Sequence, residues 1–267
     1  MKLNRIMIAA PKSGSGKTTI TCGLLQAFKD AGEKVISYKC GPDYIDPMFH
    51  QKVIDVPAKN LDTFFTDEET TRKLFLKNRK EDELVILEGV MGLFDGLGGI
   101  REEGSSYHLA KVTKTPIILV IDAKGMGRSV ISLIAGFLSY DKAQLIKGVI
   151  LNRMSKSYYE TIKPLIEQEL SITVLGYFPD CKAFHVGSRH LGLLMPDELA
   201  DIREQLHKSS EELQKTVSLE AVLQIAENAE ELETCLVITD EKTFATDEEN
   251  RPVIAVAKDE AFCFYYE

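Results

Sequence analysis

Short apolar runs recur along the chain, separated by longer stretches whose apolar positions repeat at helical spacing. Residues 6–10, 34–39, 84–87, 116–122, 146–152 and 173–178 read as strands. Several are apolar almost throughout, not in alternation, which marks strands covered on both faces. Residues 20–28, 105–114, 129–140 and 157–169 read as the helices between them, and 197–208 and 219–233 as two more. Residues 61–80 read as a polar helical connector, with Thr66 as N-cap before Asp67, Glu68 and Glu69. Gly41, Pro42 and Pro47 argue against continuous helix or strand over 41–50, so a shaped loop is expected there. Strands alternating with helices predict an α/β fold, a mostly parallel sheet with helices on both faces.

The stretch Pro11-Lys12-Ser13-Gly14-Ser15-Gly16-Lys17-Thr18-Thr19 lies between the first strand and the first helix. A glycine loop opening a helix turns backbone N–H groups and the positive end of the helix dipole toward an anion. Lys17 adds a full charge, and Thr18 places a hydroxyl for a magnesium ion. Gly14 and Gly16 let the backbone wrap phosphate oxygens. A dinucleotide fingerprint is disfavoured, because the third glycine is replaced by Thr19. The loop therefore predicts a P-loop fold that binds a nucleoside triphosphate. Pro11 stands where the usual pattern has glycine, and Lys12 follows it; a lysine there resembles the deviant loop of dethiobiotin synthetase-like amidoligases and partition ATPases.

Two later segments carry acids beyond strand ends, where open α/β sheets bind ligands. One holds Asp43 and Asp46. The other begins with Glu88, which closes the 84–87 strand like a Walker B acid, and continues through a glycine-dense loop to Asp95. Six of the 18 glycines lie between 89 and 104, so this loop either flexes or lets a ligand approach its backbone.

Charge narrows the partners. The net charge is −9, yet residues 197–250 alone hold 16 acids against 4 bases, leaving residues 1–196 mildly basic. An acidic tail repels nucleic acid and anionic membrane, so neither is expected as a partner. No apolar run reaches the length of a bilayer span, no signal peptide is read, and the five cysteines show no metal-finger spacing; a cytoplasmic location with reduced thiols is expected. Residues 239–252 read as a charged linker, and Val253–Ala257 as a fresh strand that opens a second domain.

Residues 11–19, 39–50 and 88–96 resemble the cobyrinate a,c-diamide synthase family, as do Asp122–Ser129, Gly148–Arg153 and Arg189–Leu193. The resemblance implies an ATP-dependent synthetase domain over 1–238 and, from 253, the first strand of a truncated class I glutamine amidotransferase domain. It implies ATP and Mg²⁺ as cofactors, a tetrapyrrole (corrinoid) substrate, and glutamine or ammonia as nitrogen donor through the missing glutaminase domain. A homodimer is left open.

The reaction implied is phosphorylation of a carboxylate followed by displacement of phosphate by ammonia. Lys12, Ser13, Gly14, Ser15, Gly16, Lys17, Thr18 and Thr19 would seat the phosphates, with Thr18 on magnesium. Lys39 is expected at the reacting centre. Asp46 and Glu88 are assigned to metal, Asp43 and Asp95 to substrate and ammonia. Tyr44 and Ile45 are placed to steer which acetate enters, and His190 to bind a substrate carboxylate. Asn152 and Arg153 match positions that read adenine. Nickel-sirohydrochlorin or hydrogenobyrinate as substrate, and more remotely a partition-type ATPase switch, are the alternatives.

Overall fold

The computed structural model describes residues 1–180, 196–233 and 253–259. Seven parallel strands form one sheet: β1 Asn4–Ala9, β2 Lys34–Cys40, β3 Ala58–Leu61, β4 Glu83–Glu88, β5 Ile117–Asp122, β6 Ile146–Asn152 and β7 Thr173–Phe178. Their spatial order is β3-β2-β4-β1-β5-β6-β7. The first strand is thus central. The chain runs out to one side of it through β4 and then to the other from β5. The loop after β1 therefore opens at the crevice where the strand order reverses.

Alternate residues of one strand feed two separate cores. Met7 and Ala9 face one side, with Phe75, Leu109, Val130 and Ile162. Ile6 and Ile8 face the other, with Ile20, Leu24, Leu206 and Val222. Helices α3 Glu68–Leu76, α4 Ser106–Val112, α5 Ser129–Tyr140 and α6 Lys156–Leu170 cover the first face. Helices α1 Lys17–Asp30, α2 Ile45–Phe49, α7 Pro196–Thr216 and α8 Leu219–Glu227 cover the second. A Cβ on Gly23 of α1 would lie 2.9 Å from the Leu213 side chain of α7, so the two helices pack closely.

Five expectations are corrected. Residues 45–49 form helix α2, followed by a π-helical turn over His50–Ile54; Pro47 is tolerated because the first turn of a helix has no use for its missing N–H. Strand β3 was not foreseen, being a four-residue edge strand with Lys59 exposed and Asn60 half-buried. Asp67, not Thr66, caps α3, accepting from the Thr70 amide at 2.7 Å, while Thr66 donates to the Asp62 carbonyl. Helix α7 runs on to Thr216, and α8 stops at Glu227 instead of residue 233. Residues 253–258 carry no strand, and Val253 and Ile254 are exposed. The expected linker 239–252 and the loop with His190 lie outside the described residues.

Candidate nucleotide and carboxylate site

Helix α1 begins without a side-chain cap. Gly16 stands at its N-cap in the left-handed region, φ 94°, and no acid occupies the first turn. Its leading amides stay available to an external anion. A Cβ at Gly16 would collide with Asn152, whose amide nitrogen donates to the Ser15 carbonyl at 2.8 Å. Arg153 donates to Asp122 at 2.7 Å and to the Gly14 carbonyl at 3.1 Å. The ends of β5 and β6 thus brace the phosphate loop from one side. Lys12, Ser13 and Gly14 are exposed, with Thr18 and Thr19 partly so.

Lys17 is 8% exposed and donates to the Met91 carbonyl at 2.5 Å and to that of Lys12 at 3.4 Å. Burial pulls its pKa down to about 8, against an opposing pull from Glu88. Met91 itself sits at φ 49°, a conformation rare for a side-chain-bearing residue. The same loop is pinned by Ser106, whose hydroxyl accepts from Val90 N and donates to Val90 O. Gly92 leaves no space for a Cβ between the Asp95 carboxylate and the Pro11 carbonyl, and its amide donates to Asp95 at 3.0 Å.

The second cluster adjoins the first. Glu88, fully buried at the end of β4, accepts from the Thr18 hydroxyl at 2.7 Å and from Lys39 at 3.0 Å through the same oxygen, Oε1. Lys39 also donates to Asp46 at 2.5 Å, and Asp43 lies 3.9 Å away. Parallel pairing of Lys39 with Glu88 explains why β2 and β4 deliver these side chains to one place. Asp43 turns back to accept from the Ile45 amide at 2.9 Å, and Asn60 fastens the loop through the carbonyls of Gly41 and Asp43.

Charges this close interact strongly. At an effective dielectric of ~20, opposite charges 3 Å apart attract by ~5 kcal/mol. Burial alone would lower the Lys39 pKa, but Glu88 and Asp46 outweigh it and hold the group above the ordinary lysine value. Asp46 is raised, by burial first and then by Glu88, with Lys39 opposing. Two buried cations, Lys17 and Lys39, balance two buried anions, so an added triphosphate leaves the pocket anionic and favours a divalent cation. The donors present are hard oxygens from Thr18, Glu88 and Asp46, which suit magnesium. Among the described residues no group of three or more His, Cys, Asp or Glu is arranged to hold a metal.

The structure therefore draws Lys17, Thr18, Lys39, Asp43, Asp46 and Glu88 together, with Asp95 acting on Lys17 through its charge. Ile45 is exposed beside them and Tyr44 partly so. Three contributors have no signal in spacing: the Met91 carbonyl, Asn60 and His50. His50 is buried with Nδ1 2.8 Å from the Ser37 hydroxyl, and burial pushes its pKa down to about 4.

Residues 6–193 match the CobQ/CobB/MinD/ParA nucleotide binding domain. The chain is 39% identical over 267 residues to a cobyrinate a,c-diamide synthase of Listeria innocua, covering 99% of this chain and 58% of that protein. A protein of the same name from Thermoplasma acidophilum is 37% identical over 270 residues, covering 100% of this chain and 58% of its own. The chain thus spans a little under three-fifths of the length of these relatives. Among solved structures, chloroplast FtsY from Physcomitrella patens superposes with a TM-score of 0.50 at 17% identity, over 77% of this chain and 66% of that one. FtsY from Elizabethkingia anophelis in complex with GDP gives 0.50 at 14% identity, over 78% and 65%. At such identity the likeness is one of fold, that of P-loop proteins. No helix among the described residues is long and apolar enough to cross a membrane. With the phosphate loop and both acidic loops inside the matched span, the chain belongs to the CobQ/CobB/MinD/ParA nucleotide-binding domain family and resembles the cobyrinate a,c-diamide synthases.

Proposed function

We propose that this chain is the ATP-dependent synthetase part of a cobyrinate a,c-diamide synthase, amidating the a and c acetate carboxylates of a corrinoid. The observation that carries the reading is the junction at Glu88, whose Oε1 receives both the Thr18 hydroxyl and the Lys39 ammonium. That junction joins the phosphate loop to the acidic loop through one carboxylate oxygen. The names of the sequence relatives supply the substrate.

In the proposed reaction a substrate carboxylate oxygen attacks the γ-phosphorus of ATP and ADP leaves. Ammonia then attacks the acyl carbon, phosphate departs with the former carboxylate oxygen, and the proton shed by the nitrogen ends on that phosphate. Thr18 and Glu88, with Asp46 nearby, would hold magnesium, which when bound would supply charge neutralisation on the phosphates. Lys17 and Lys12 orient the phosphates. Lys39 offsets the negative charge where the two anions meet. Asp43 and Asp95 are assigned to substrate amide and incoming ammonium, and Asn152 and Arg153, which brace the phosphate loop, to the adenine. Glutamine as donor requires a glutaminase domain, which the relatives' greater length leaves room for.

Mass spectrometry of cobyrinate incubated with the chain, ATP, magnesium and ammonia tests the reading. Two successive losses of about one mass unit, each dependent on ATP, are the expected result. An unmodified corrinoid under conditions where ATP binds would exclude it.

A further inference from the structure

We propose that His50 is the positioning residue for Glu88, holding the carboxylate by Oε2 so that Oε1 stays turned to Thr18 and Lys39. The inference rests on reading Glu88 as an acid of the cation site. Nε2 of His50 and Oε2 of Glu88 face each other at 3.6 Å, both side chains fully buried. Neither atom has a hydrogen-bond partner. Buried polar atoms left unpaired are costly, and here a potential donor and an acceptor face each other.

The tautomer follows from the surroundings. Nδ1 lies 2.8 Å from the Ser37 hydroxyl, which is able to donate or accept. If Nδ1 carried the proton, a bare Nε2 would confront a carboxylate oxygen, two acceptors without a donor. If Ser37 donates to Nδ1, the proton sits on Nε2 and points at Oε2. The second arrangement satisfies the carboxylate. At 3.6 Å the contact is electrostatic, not yet a hydrogen bond, and a shift of about half an ångström would make it one.

The backbone supports the placement. His50 opens the π-helical turn that follows α2, four residues after Asp46, so the two side chains leave the segment on one face. Asp46 reaches Glu88 through Lys39, and His50 reaches it from behind. Turns of this wide type occur often at functional sites. Partners standing behind a metal-binding carboxylate typically alter metal affinity ten- to a hundredfold when removed.

The test uses the full chain with ¹⁵N-labelled histidine and three variants, His50→Leu, His50→Gln and Ser37→Ala. NMR of the unsubstituted protein is expected to show a neutral His50 ring protonated on Nε2; protonation on Nδ1 overturns the proposal. Binding of a ribose-labelled fluorescent ATP is then titrated with magnesium. His50→Leu is expected to raise the half-saturating magnesium concentration roughly tenfold or more. His50→Gln, which can still present an N–H, is expected to restore most of that loss. An unchanged magnesium requirement in His50→Leu overturns the proposal. Should that variant not fold, Ser37→Ala decides: a several-fold rise supports the role and no rise refutes it. Amidation is read in neither arm, so a chain that amidates no corrinoid leaves the result standing. ATP binding that ignores magnesium in the unsubstituted protein would remove the cation site and the proposal together.

Discussion

Lys17 donates from Nζ to the Met91 carbonyl at 2.5 Å, linking the phosphate loop to the glycine-rich loop 74 positions away. Met91 makes the contact from a left-handed backbone, φ 49°. Charged phosphate oxygens make stronger hydrogen bonds to an ammonium than neutral carbonyls do. Nucleotide binding should therefore draw Lys17 off Met91. Lys17→Ala is expected to fold and to lower ATP-dependent amidation by about a hundredfold or more. Turnover measured beside circular dichroism checks this, and full activity in the variant would remove the loop from the mechanism.

Lys39 shares one buried space with Asp46 and Glu88. Lys39→Met would leave two buried carboxylates without a counter-charge, a loss of about 3–5 kcal/mol at neutral pH. The pH dependence has a definite sign. Asp46 already has its pKa raised above 3.8, so near that range the folded state binds more protons than the unfolded one. Without Lys39 the shift grows, and the variant should regain stability as pH falls from about 7 toward about 5. Urea midpoints across that range test it; a midpoint that drops with acid would contradict the assignment.

Much of this architecture was legible in the chain because double-sided burial writes continuous apolar strands, and β1, β4, β5 and β6 all carry that mark. The phosphate loop was legible because its glycines and Lys17 act through local backbone geometry. Asp46 was legible only as one acid in a loop. Its meeting with Lys39 depends on α2, which the prolines concealed. Strand β3 escaped because an edge strand such as Ala58–Leu61 needs little hydrophobicity. His50 escaped because its significance lies in atoms of Ser37 and Glu88, which only the sheet register brings near.

Both described cysteines are buried, Cys22 within α1 and Cys40 at the end of β2. Burial, then the charge of Asp62, pushes the Cys40 thiol up to about 12; burial, then Glu88, raises Cys22 as well. The thiolate is the reactive form, so neither residue should react with iodoacetamide at about pH 8 while the protein is folded. Peptide mass mapping should find both labelled only after denaturant. Because the raised pKa favours the folded state's protons, this contribution to stability is lost as pH climbs from about 9 toward about 12. Rapid labelling of Cys40 in native protein would place its strand end in solvent.

Arg5 is fully buried near the amino end of β1, about 15 Å of strand away from the phosphate loop. Its guanidinium donates to the carbonyls of Leu3, Thr113, Lys114 and Glu230, at distances from 2.5 to 3.0 Å. Burial lowers its pKa to about 10, so it remains a cation at neutral pH. The N-terminal amine adds a bond to the Leu232 carbonyl at 2.8 Å, and together these contacts lash residues 230–232 to the base of the sheet. Arg5→Met keeps the apolar stem but strands the acceptors, which should cost about 2–4 kcal/mol. Since no phosphate-loop residue touches Arg5, affinity for magnesium-ATP should stay unchanged. Urea unfolding and nucleotide titration on the same sample separate the two effects, and a variant that unfolds normally yet loses ATP would show the sheet base coupled to the site.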